Sequence, residues 1–148
     1  MEKLLISACL LGLASRYDGG SKRLFSDEQI AILSEKYSLV PFCPEIYGGL
    51  PTPRIPSERK NGEVYMKNGV CVSENYNKGA EQALYLCNTL GIRKALLKER
   101  SPACGKNMIY DGSFTGRLVE GSGVAAELLI KNGISVFGES DIDELLLK

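Results

Sequence analysis

Short apolar runs alternate with helix-patterned segments along most of this chain, and that alternation restricts its architecture more than any other feature. Lys3 to Ala8 reads as a buried strand, Ser38 to Phe42 as a second, Lys94 to Lys98 as a third and Ile134 to Phe137 as the last. Helical signatures separate them. Ser26-Asp27-Glu28-Gln29 is a capping box that opens a helix running to about Lys36. Glu74 to Leu90 carries the best helical pattern, with Ala80, Ala83, Leu84, Cys87 and Leu90 on one face and Gly91 to end it. Val124 to Lys131 is a further helix. Ser140 to Lys148 is a short terminal one, with Ser140 and Asp143 as its capping pair. Strands that alternate with helices imply a parallel sheet covered by helices on both faces.

The segments between these elements are long. Leu10 to Arg23 is a glycine-containing loop, and Pro41 to Gly62 holds five prolines that predict an extended loop, not a helix or central strand. Glu63 to Val72 predicts a hairpin turning at Asn68-Gly69. Ser101 to Gly123 is loop-rich, with five glycines. Long loops of this kind in a compact domain are usually functional. With 148 residues the chain suits one domain spanning 1–148. The expected fold is α/β, a single three-layer domain with a mainly parallel sheet, Rossmann-like, plus a small β-hairpin insertion.

Composition narrows the function. Eighteen Lys and Arg balance eighteen Asp and Glu, which argues against a broad electrostatic footprint for nucleic acid or an acidic membrane. The apolar start at Met1 to Ile6 is too short for a signal peptide or membrane span, so a cytoplasmic location is expected. Five cysteines without a secreted-domain pattern favour free thiols or metal ligands over structural disulfides. Histidine is absent. That removes the commonest general base, the Cys-His dyad and all His-ligated metal sites.

Three of the cysteines follow predicted strands. They are Cys9, Cys43 and Cys104, and each precedes a loop rich in glycine or proline. In a parallel sheet the strands' carboxyl ends share one edge, where ligands bind. Three thiols distant in sequence then meet at one place, with room for a three-thiolate metal site that keeps one position open. No C-x-x-C pair supports this, and buried thiols are the alternative. Soft thiolates select zinc, copper(I) or iron–sulfur clusters. Zinc wants a fourth ligand, whereas a cubane held by three cysteines leaves one iron free to act as a Lewis acid toward sulfur. Cys87, on the apolar stripe of the long helix, and Cys71, in the hairpin, are read as packing residues.

Two further groups belong to the same crevice. Glu45 lies two residues after Cys43, and Ser101 starts the turn leading to Cys104. A carboxylate in a partly dry crevice can exchange a proton near neutral pH. The alternatives are that Glu45 pairs with Arg54 or Arg59 and that Ser101 caps a turn. Gly121-Ser122-Gly123 before the Val124 helix resembles a phosphate-cradling turn, but lacks the Rossmann spacing and the Walker lysine. Tight turning and close packing are the expected role, with at most a weak anion site.

Four blocks together carry a family resemblance. They are Ser7-Ala8-Cys9-Leu10-Leu11-Gly12 with Arg16-Tyr17-Asp18-Gly19, Cys43-Pro44-Glu45 with Gly48-Gly49-Leu50-Pro51-Thr52-Pro53-Arg54, Leu97-Lys98 with Ser101-Pro102-Ala103-Cys104-Gly105, and Ile109 to Gly116 with Gly121-Ser122-Gly123-Val124. The chain resembles, over nearly its whole length, a bacterial family once catalogued as a domain of unknown function, whose characterised members are 2-thiouracil desulfurases. The resemblance implies a 4Fe-4S cluster bound by Cys9, Cys43 and Cys104, with Glu45 and Ser101 catalytic. It implies a small thiolated pyrimidine as substrate, converted without redox change to uracil and sulfide. It assigns no role to Arg16, Asp18, Arg54 or Asp111. The competing readings are desulfuration of 4-thiouridine in transfer RNA, which related domains perform with an additional domain, a cluster-binding sensor or sulfur carrier, and a plain thiol protein.

Overall fold

The computed structural model describes residues 1–21 and 23–147. Four parallel strands form its central sheet: β1 (Glu2–Ser7), β2 (Tyr37–Phe42), β5 (Lys94–Leu97) and β8 (Ser135–Gly138), in the order β2-β1-β5-β8. The helices are α1 (Asp27–Lys36), α2 (Pro44–Tyr47), α3 (Ser73–Leu90), α4 (Val124–Lys131) and α5 (Ile142–Leu146). Two antiparallel pairs complete the fold, β3 (Ser57–Lys60) with β4 (Glu63–Met66) and β6 (Met108–Tyr110) with β7 (Leu118–Glu120).

Successive side chains point to opposite sides of the sheet, and the central strands β1 and β5 bury both. Leu5, Ala95, Leu97 and Val136 meet Tyr76, Ala80, Ala83 and Cys87 of α3 and Val124, Ala125 and Leu129 of α4. Leu4, Ile6 and Leu96 meet Leu33 of α1 and Ile142 and Leu145 of α5 on the other side. Helices on both faces of a parallel sheet are the expected three-layer α/β arrangement. Each fully buried Leu or Ile of β1 contributes about 1.5–3 kcal/mol. The Ser26–Gln29 capping box forms as expected, and Gly91 ends α3 in the left-handed conformation. Among the described residues no helix is long and apolar enough to cross a membrane.

Several local expectations are corrected. The proline-rich segment is not all loop: it holds α2 and β3, and Pro41 lies inside β2, tolerated because β2 is an edge strand. The main hairpin turns at Asn61-Gly62, with φ of 53° and 80°, instead of Asn68-Gly69. Charged Ser57 to Lys60 disguised its first strand. Asn68-Gly69 still turns the chain back, returning Cys71 to a single bridge with Tyr65. The Ser101–Gly123 segment contains the β6–β7 hairpin. The terminal helix starts only at Ile142, after a 3-10 turn at Glu139–Asp141, because Ser140 gives its amide and hydroxyl to Glu99 and not to a helix end. Lys148, its expected last residue, lies outside the described residues.

Candidate active site

The chain leaves β1 for β2 on one side and β5 for β8 on the other, so the connections diverge above the β1–β5 pair and leave a crevice there. A cleft of about 480 Å³ opens at this point. Cys9, Cys43, Cys104, Glu45 and Ser101 all line it, together with Arg16, Arg54 and Lys98. β1, β2 and β5 are neighbours, so the turns that follow them deliver the three thiols to one place. All five cysteines are free.

Each thiol is fixed by local structure. Cys9 sits in a 3-10 turn at Ala8–Leu11, directly after β1. Cys43 is the N-cap of α2, with Pro44 at the first helical position, where a missing amide costs nothing. α3 presses against this turn at Gly79, where a Cβ would stand 1.9 Å from the Pro44 carbonyl oxygen. Cys104 lies further from its strand than the sequence implies, in a tight turn built around Ser101. The Ser101 hydroxyl accepts from the Ala103 and Cys104 amides, both at 3.0 Å. The first amides of α4 complete the clamp: Val124 donates to the Pro102 carbonyl, and Ala125 and Ala126 donate to that of Ala103. Gly123 allows this, since a Cβ there would lie 2.4 Å from the Ala103 carbonyl carbon. The close-packing role expected of the Gly121–Gly123 turn is therefore realised, with these amides spent on the cysteine turn.

Ser7 and Tyr76 are participants that the sequence reading did not single out. The Ser7 hydroxyl donates to Cys104 Sγ at 3.5 Å and accepts from the Lys98 amide at 3.0 Å. The signal was a polar residue closing an otherwise apolar strand. The Tyr76 hydroxyl donates to Glu45 Oε2 at 2.7 Å. Tyr76 stands four residues before Ala80 on the buried stripe of α3, which is how it could have been found. Arg54, its side chain 5% exposed, stands 3.4 Å from the same oxygen and donates to the Ser15 carbonyl at 2.9 Å. Glu45 thus makes the expected Arg54 pair while facing the cleft, whereas Arg59 goes to Ser122 and Glu127. Ser101 likewise both caps a turn and lines the cleft.

The thiols share an unfavourable electrostatic setting. Burial pushes Cys9 up to about 11, and nearby Cys43 adds to it while Lys98 and Arg16 oppose it. Cys43 is raised by burial and then by Glu45, against the amides of Ile46 and Glu45 and the Arg54 charge. Cys104 is raised well above an ordinary thiol, chiefly by burial, with the Ser7 hydrogen bond pulling the other way. Burial and then Glu45 raise Tyr76, so its phenol stays a donor. Cys43 raises Cys9, and both raise Cys104, on top of the burial that raises all three, so a bound cation would be needed for all three to ionise together near neutral pH. The other two cysteines differ from these. Cys87 packs in the core as expected, but Cys71 is exposed. It falls between Val64-paired Val72 and the Asn68-Gly69 turn, on the outward side of the period-2 pattern.

The sequence model of the 2-thiouracil desulfurase family matches residues 4–141. An uncharacterized protein of Bacillus subtilis (strain 168), YbbK, is 35% identical over 153 residues, covering 97% of this chain and 99% of its own. The solved structure of TudS, a [4Fe-4S]-dependent thiouracil desulfidase, is 48% identical and superposes with a TM-score of 0.92 over 99% of this chain and 97% of that one. By its sequence and its fold, this chain belongs to the 2-thiouracil desulfurase family.

Proposed function

We propose that the protein is a desulfurase that hydrolyses a thiolated pyrimidine of the 2-thiouracil type to uracil and sulfide. In this reading Cys9, Cys43 and Cys104 hold a 4Fe-4S cluster. The observation that carries it is the convergence of three free thiols, a carboxylate and a hydroxyl in one cleft of a chain without histidine. The donor set suits the group. Three free thiols lining one cleft are soft ligands, and a multi-iron cluster takes such thiolates on separate irons. The Ser7–Cys104 hydrogen bond is of the kind that tunes cluster sulfurs. A reducing cytoplasm keeps such thiols free.

When bound, the cluster supplies an iron without a protein ligand, a Lewis acid for a soft sulfur atom. The chain's residues handle the rest. Water oxygen replaces sulfur at the ring carbon, both water protons leave with sulfur as hydrogen sulfide, and carbon keeps its oxidation state. Glu45 is the group that takes and returns a proton. Tyr76 and Arg54 both engage Oε2, which fixes the carboxylate and leaves Oε1 for the water. Ser101 already accepts two amides, so its own proton is what it offers to a polar atom of the ring. The cleft volume matches a small planar molecule.

The test is anaerobic reconstitution with iron and sulfide, followed by 2-thiouracil with uracil and sulfide both measured. The expected result is a bound cluster and equal release of the two products. A cluster without turnover would overturn the desulfurase reading and leave a sensor or carrier. Absence of a cluster would overturn the metal site itself.

A further inference from the structure

Among the described residues, three non-glycine ones adopt positive φ: Asn61 at 53°, Arg100 at 70° and Phe114 at 58°. Asn61 is explained by its Asn-Gly turn. Arg100 and Phe114 both line the cleft. A bulky residue in the left-handed region costs about 1–3 kcal/mol and persists only where its surroundings impose it. For Phe114 those surroundings are visible. Glu58, on β3, is 9% exposed and carries no ion pair among the described residues. Its Oε1 accepts from the Gly112 amide at 2.9 Å and the Phe114 amide at 3.0 Å. Asp111 braces the turn from inside, accepting from the Ser113 amide at 2.9 Å and the Ser113 hydroxyl at 2.5 Å. A buried carboxylate from another element therefore holds the 110–116 turn with half-buried Phe114 at the cleft, which Tyr110 also lines.

We infer that Phe114 recognises the substrate's ring: held by Glu58, it stacks on a planar six-membered heterocycle whose thiocarbonyl points toward the cysteines. This rests on the desulfurase reading for its ligand class, and it adds what that reading lacks, a group that selects a flat unsaturated ring. The thioureido edge of the substrate is shared by acyclic and ring-saturated thioureas, whereas the flat π-face sets an unsaturated ring apart from them. Glu58 is a positioning residue, acting only through the turn.

The test uses the anaerobically reconstituted full chain and compares equilibrium dialysis and turnover of 2-thiouracil with those of its ring-saturated dihydro analogue, which keeps the same thioureido edge. Phe114→Leu should weaken 2-thiouracil binding about tenfold, within the range for ring stacking, and leave the dihydro analogue unchanged. KM should rise with kcat nearly constant, because stacking is made equally before and during reaction. Phe114→Tyr should retain the preference. Glu58→Ala should reproduce the Phe114→Leu pattern, and Glu58→Gln, which keeps an oxygen acceptor, should restore it. Equal weakening of both ligands, no weakening, or a wild-type chain without ring preference would overturn the inference. Dialysis needs no turnover, so the two readings separate. Ring-selective binding without conversion removes the desulfurase function and keeps the clamp. Conversion whose ring preference Phe114→Leu leaves intact removes the clamp and keeps the function.

Discussion

Cys87 in the α3 core and Cys104 at the sheet edge are almost equally hidden, at 1% and 4% exposure, and burial lifts the pKa of both thiols. Their surroundings differ. Burial alone acts on Cys87, which belongs to the apolar core between the sheet and α3. Cys104 receives a hydroxyl from Ser7, sits in a turn clamped by Ser101 and α4, and is coupled to Cys9, Cys43 and Glu45. Burial therefore says nothing about whether a cysteine is chemical. What separates the two is convergence with other polar groups, which the sheet edge provides and the helix stripe does not.

The largest effect should come from removing one thiol of each kind. Cys104→Ala is expected to abolish cluster uptake and reduce uracil formation to background, whereas Cys87→Ala should keep both and lose about 1 kcal/mol of stability in denaturant unfolding. Loss of the cluster in Cys87→Ala would break the comparison. Next comes the carboxylate: Glu45→Gln should retain the visible absorption of the cluster while kcat falls by about 10²–10⁴, the usual range for a lost acid–base group. Unchanged turnover in that variant would point to a sensor or carrier.

A smaller effect tests the hydrogen bond that Cys87 lacks. Ser7→Ala should weaken iron binding about 10–100-fold, measured by competition with a chelator, because a partner of the ligating sulfur is gone. The smallest concerns the core thiol. An ordinary thiol titrates at 9.0 and folded Cys87 at about 11, so between these values the folded chain holds a proton that the unfolded chain has released. That contribution is fully present below pH 9 and is lost as pH rises toward 11. In the metal-free chain, Cys87→Ala should flatten part of the alkaline fall in stability, read from urea midpoints across that window.

Much of this was legible before any coordinates. Continuous apolar runs mark β1 and β5 because both faces of these strands are buried, a period-3.6 pattern marks α3 because it buries one face, and strand-end cysteines foretell the cleft because a parallel sheet aligns its carboxyl ends. The misses have physical causes. β3 is short and charged, and it pairs only with its hairpin partner, so no apolar run announces it. Cys71 was read as packed because the turn preceding it, not its neighbours, sets which face it takes. Tyr76 and Ser7 reach Glu45 and Cys104 by hydrogen bonds across 31 and 97 positions, a separation that local pattern does not carry.

The most direct measurement is Mössbauer spectroscopy of the chain reconstituted anaerobically with isotopically enriched iron, recorded before and after addition of 2-thiouracil. Three cysteine ligands predict one iron distinct from the other three, with only that one responding to the thio-compound. Four equivalent irons, or a spectrum indifferent to 2-thiouracil, would contradict the assignment of Cys9, Cys43 and Cys104 as the complete ligand set of an open cluster.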